Sequence, residues 1–108
     1  MSELDNFKVI YKLLRILEKA MDEEDFDKAE ISNEALGISQ ARWEMIITML
    51  VKEGYIEGVT ITNVMGKARP GIKIKDIRIT LKGLEYLEEN SLMKKAANLI
   101  KGISDIIP

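Results

Sequence analysis

Residues 50–63 read LVKEGYIEGVTITN, and within them the apolar spacing changes from the three-and-four rhythm of a helix to strict alternation. Upstream, Trp43, Ile46, Ile47, Leu50 and Val51 recur on one helix face, and Gly54 supplies the end of that helix. Downstream, Tyr55 and Ile56 lead into Val59, Ile61 and Asn63, which alternate with the β-branched Thr60 and Thr62. The stretch is therefore a corner between a helix and a strand.

Working outward toward the N-terminus, Ser39 is placed to cap the helix over residues 40–53, with Ile38 and Trp43 at the staple positions that fix its entry angle. A short helix over 33–36 precedes it, opened by Ser32 and closed by Gly37. Ala29–Ile31 reads as one short strand. Before that, Phe7, Ile10, Tyr11, Leu14, Leu17 and Met21 make one face of a first helix over about 5–22, with Val9, Leu13, Ile16 and Ala20 widening the stripe. The charge run MDEEDFDK reads as a solvated connection, because it lacks the ligand spacing and central glycine of a calcium loop.

Toward the C-terminus, Gly66, Pro70 and Gly71 mark a hairpin tip, and Ile72, Ile74, Ile77 and Ile79 alternate with Lys73, Lys75 and Arg78, with a break of register at Asp76. The hairpin spans about 55–79. Thr80 caps a helix over 81–89, with Ile79 and Leu84 as its staple, and an amphipathic helix over 92–106 follows Asn90 and Ser91.

Composition bounds the function. The chain has 108 residues, enough for one core, and 46% hydrophobic with 31% charged residues is the balance of a globular domain. It contains no histidine and no cysteine, which removes disulfides, Cys/His zinc sites and the commonest nucleophiles and general bases. Glu88 and Glu89 are adjacent, so they diverge on a helix and cannot flank one bond. The expectation is a protein that is not an enzyme and needs no cofactor. No apolar run reaches the roughly 18 residues of a membrane span and the start is acidic, so the expected location is the cytoplasm. A net charge of −2 gives no bulk attraction to nucleic acid, yet the charges are segregated. Glu18–Glu30 holds seven acids and two lysines, whereas Val59–Lys82 holds six basic residues and one acid.

Helix, short strand, helix, capped helix, then a hairpin with a basic loop is the order of a winged helix–turn–helix. The expected fold is α+β and mainly α, with a small antiparallel sheet, an added C-terminal helix, and one domain over 1–108. The segments KEGYIEGV (52–59) and ITLKGLEYLEEN (79–90), followed by MKKAANLIKGI, resemble the YjcQ family of small bacterial and bacteriophage proteins, from about Phe7 to the last helix. That resemblance implies a winged-helix-like domain of helices and a three-stranded sheet. It implies no established activity and brings no catalytic residues.

Two functions suit this order. In the first, the chain is a DNA-binding regulator of bacterial or phage genes. Gln40, Arg42, Thr48 and Lys52 then face DNA from the recognition helix, and Lys67, Arg69, Lys73 and Lys75 do so from the wing. Gln and Arg near a helix start can reach base edges, and hairpin cations can follow a phosphate backbone. The competing reading of those wing charges is a solvated edge protected from aggregation. Glu44 would repel phosphates, and Met45 and Met49 are poor base readers. In the second, the same fold is a protein-interaction module that uses the methionine pair and the C-terminal helix, because methionine adapts to partner surfaces. The first and last helices could also pair across a two-fold axis, although a domain of this size needs most of its apolar residues for one core.

Overall fold

The computed structural model describes residues 3–63, Gly66 and 71–90, with side chains from residue 6 onward. The expected helix over 92–106, and with it any pairing of the terminal helices, lies outside the described residues. So do Lys67 and Arg69. The described elements are α1 (Glu3–Ala20), a 3-10 turn (Lys28–Ile31), α2 (Asn33–Leu36), α3 (Gln40–Glu53), β1 (Ile56–Thr62), β2 (Gly71–Ile79) and a helical segment α4 over 81–90. The chain is α+β and mainly helical, and β1 and β2 form a two-stranded antiparallel sheet.

The caps sit on the residues whose chemistry suits them. The Ser32 hydroxyl accepts from the Ala35 amide, and the Ser39 hydroxyl accepts from the Arg42 amide. Gly37 and Gly54 end α2 and α3 in the left-handed conformation, each returning its N–H to carbonyls of the last turn. α2 and α3 are thereby fixed one turn apart before any tertiary contact is counted.

Two expectations need correction. Ala29–Ile31 is no strand: it belongs to the 3-10 turn, where the Asp27 carboxylate accepts from the Ala29 amide and the Ala29 carbonyl accepts from Ser32. Ile31 is fully buried, and its carbonyl accepts from the Trp43 indole N–H at 2.8 Å. Local caps and an indole satisfy this backbone, so it has no need of a sheet partner. The second correction concerns α1. Its core side is Val9, Leu13, Leu14 and Leu17, while Phe7 and Met21 are 59% and 61% exposed. The apolar stripe is wider than one packing face, and periodicity alone could not choose which half the core takes.

The core joins these α1 residues to Ile31, Leu36, Ile46, Ile47, Leu50, Ile56, Ile77, Ile79 and Leu87, so every described element contributes to it. The sheet pairs Ile56 with Ile79 and Glu57 with Arg78 at its base, and Val59 with Ile74 and Ile61 with Ile72 further out. Between the two halves β2 carries two extra residues, a bulge opposite Gly58. Across the bulge the alternation shifts on both strands, since Ile56 to Val59 and Ile77 to Ile74 are each three residues apart, and so apolar residues face the core above and below it.

Thr80 ties the corner together. Its hydroxyl donates to the Gly54 carbonyl and accepts from the Gly83 amide, and its own N–H donates to the Tyr55 carbonyl. One side chain thus couples the end of α3 to the start of α4. Replacing Thr80→Val keeps the shape and removes both hydroxyl bonds, so urea denaturation should report a loss of about 1–2 kcal/mol, with Thr80→Ser close to the parent. Equal stability of the two variants would show that the hydroxyl contributes nothing. Beside this corner the Tyr55 and Tyr86 rings meet at 5.2 Å between centroids, and Lys82 Nζ lies 5.5 Å from the centre of the Tyr55 ring. Burial, and then the neighbouring Tyr55 phenol, push the Tyr86 phenol above its ordinary pKa.

Candidate nucleic-acid interface

α3 buries Ile46, Ile47 and Leu50, and its opposite side presents Met45, Met49 and Lys52. Of the four residues expected to face DNA from this helix, Lys52 is exposed at the last turn. Gln40 is exposed at the first turn, where its amide donates to the Glu44 carboxylate at 3.1 Å. Arg42 is half-buried, close to Lys8 and Lys12 of α1.

Thr48 does not belong with them. It is only 7% exposed, and its hydroxyl donates to the Glu44 carbonyl at 2.7 Å. A threonine inside a helix readily bonds the carbonyl four residues back, which here uses up its one donor. The outward surface of α3 is left to a methionine pair and a lysine, with Met45 at 48% and Met49 at 46% exposure.

The hairpin is a different surface. Thr60, Thr62, Lys73 and Lys75 are exposed, with Thr60 directly opposite Lys73 in the register. Neither lysine has an ion-pair partner among the described residues. Arg78, below the bulge, is engaged with Glu57 at 3.8 Å and with Asp76 at 3.6 Å. All three side chains are more than half exposed, so these pairs are worth little to stability, but they offset the charge of Arg78. Lys75 also lines a groove of about 500 Å³ between the end of α1 and β2, where Glu23, Glu24 and Asp25 form part of the wall. The free positive charge of the described hairpin is therefore greatest at Lys73 and declines toward its base.

Sequence reasoning missed Lys8 and Lys12. Their four-residue spacing puts them in one row of α1, but the sequence alone does not say that the row faces Arg42 across the α2–α3 turn. Among the described residues no group of acids is arranged to hold a metal ion, and no helix is long and apolar enough to cross a membrane.

The geometry defines an α+β protein in which a helix, a tight turn and a second helix lead directly into a β-hairpin, with surface cations on α1, α3 and the outer hairpin. The chain belongs to the YjcQ family: the family described as YjcQ protein matches residues 11–106. A curated relative from Bacillus subtilis (strain 168), named Uncharacterized protein YjcQ, is 32% identical over 77 residues, which cover 71% of this chain and 78% of that protein. No solved structure gives a significant match.

Proposed function

We propose that the chain is a non-enzymatic, winged-helix DNA-binding protein whose hairpin grips the phosphate backbone, while α3 contributes little base reading. The observation behind this reading is the exposed set Thr60, Thr62, Lys73 and Lys75 on a hairpin that directly follows the helix–turn–helix pair. Lysines and hydroxyls position a protein on phosphates without reading sequence. The buried Thr48, the Gln40–Glu44 bond and the methionine pair leave α3 poor in donors for base edges. A small bacterial or phage regulator built this way would prefer DNA shape over a strict sequence.

Fluorescence anisotropy on a mixed-sequence duplex of about 20 base pairs tests this. Affinity should fall steeply with salt, and the double variant K73Q/K75Q should weaken binding to all sequences alike. That variant should also flatten the log–log salt slope by about 2, close to one unit for each lost phosphate contact. No binding at low salt would end the DNA reading, and an unchanged slope would end the role of these two lysines.

A protein-interaction module is the second reading, favoured by the exposure of Met45 and Met49 on the open side of α3. The variant M45E/M49E separates the two. Loss of a sedimenting dimer or of a captured host protein, with DNA affinity intact, assigns α3 to a protein surface. The opposite pattern assigns it to DNA.

A further inference from the structure

Beside the α2–α3 turn lies a pocket of about 290 Å³ that neither reading uses. Its floor is apolar, made by Val9, Leu36 and Ile38, all part of or packed against the core. Its charged residues are Lys8 and Lys12 from α1 and Arg42 from the first turn of α3. No acid among the described residues lines it, and none of the three cations has an ion-pair partner among those residues. Three positive charges held near each other repel, and a chain of net charge −2 has acids enough to neutralise them. Here they converge unpaired on an apolar hollow.

We propose that this pocket binds a small organic anion, one carboxylate or phosphate head on a short apolar body. The head is held by Arg42, Lys8 and Lys12, and the body lies on Val9, Leu36 and Ile38. The concavity selects this occupant over a nucleic-acid backbone, because a phosphodiester needs cations and amides but no apolar floor. The volume is at the small end of ligand sites, so it suits a body of a few carbons or one ring. Arg42 adds a planar fork that can take a carboxylate or phosphate through two hydrogen bonds, and α3 has no acid in its first turn to oppose a negative head. The ligand would neutralise Arg42 at the start of α3, and so weaken any DNA contact made by that residue. The site itself stands independently of the DNA reading.

The test is a titration of the full-length chain followed by ¹H–¹⁵N correlation spectra, with hexanoate, hexanol, acetate and inorganic phosphate as separate probes. Hexanoate should shift the amides of Val9, Gly37 and Ile38 in a saturable way, with a Kd on the order of 1 mM, as expected for so few heavy atoms. Hexanol, acetate and phosphate should each bind at least about tenfold more weakly, because each lacks either the charge or the body. The variants K12Q and R42Q should each weaken hexanoate about tenfold while leaving the dispersion of the spectrum unchanged. Equal binding of phosphate and hexanoate would overturn the role of the apolar floor, and equal binding of hexanol would overturn the role of the charges. Shifts that persist in both variants, or no saturable shift at all, would overturn the site.

Discussion

Gly58→Ala is expected to cost more than about 4 kcal/mol, a large part of the roughly 5–15 kcal/mol that holds an ordinary domain together. Gly58 sits opposite the β2 bulge with a φ of +84°, and an added Cβ falls within 3.0 Å of the Asp76 carbonyl oxygen and the Ile77 nitrogen. Two separate penalties combine. The left-handed backbone costs a non-glycine residue about 1–2 kcal/mol. The clash is with main chain, which cannot swing aside as a side chain can, so the bulge must open and the isoleucine register above it must shift.

Gly37→Ala isolates the first penalty, because Gly37 has a φ of +73° and open space where its Cβ would go. It should cost about 1 kcal/mol. Thermal and urea melts of the two variants by circular dichroism decide the matter. If both lose the same stability, the close approach at the bulge is not the reason for a glycine at 58.

Gly83→Ala carries the second large effect, and here two principles predict opposite signs. Gly83 lies inside α4, where alanine is the better helix former by about 1 kcal/mol, so local propensity predicts a stabilised protein. Packing predicts the reverse. Gly83 is buried, and an added Cβ meets the Tyr55 carbonyl oxygen and lies 2.6 Å from Ile79 Cγ1. The Ile79 side chain could move at a cost, but the Tyr55 carbonyl is held by the Thr80 amide. Overpacking of this kind costs about 1–3 kcal/mol, so after the propensity gain the net loss should be up to about 2 kcal/mol. Denaturation of the purified variant reads the sign directly. A protein made more stable by Gly83→Ala would mean that α4 can lift from the corner without loss.

Gly54 and Gly83 mark where reading the chain was easy and where it was not. The corner at Gly54 was legible because helix ends and strand starts are encoded in a few adjacent residues: a capping hydroxyl, a terminal glycine, a change of period. The same local chemistry located α2, α3, both hairpin strands and the Thr80 cap. Gly83 gave no such signal, since its glycine serves a carbonyl that is distant in sequence. Ala29–Ile31 misled because three residues with an isoleucine suit a strand or a 3-10 turn equally, and the choice rested on the Asp27 cap and the Trp43 indole.

The candidate site was legible in kind and less so in detail. A basic hairpin following a helix–turn–helix pair could be read from charge spacing, and Lys73 and Lys75 do stand exposed. Thr48 could not be excluded by spacing, because it sits at the margin of the α3 face, where burial depends on what packs alongside. The cluster of Lys8, Lys12 and Arg42 was beyond reach for the same reason: residues some thirty positions apart meet only after α1 has docked on the turn.

By itself, then, the sequence determined the described α-helices and hairpin strands, their caps and the α+β class, because each depends on hydrogen bonds and apolar periods that close within a few residues, and it carried the motifs of the family. Tertiary structure decided which half of the α1 stripe became core, that Thr48 turned inward, how deep the bulge at Gly58 sits, and which cations converge beside α3. Those outcomes depend on excluded volume and on charges brought together from distant parts of the chain, and no local pattern encodes the position of a neighbour that folding has yet to supply.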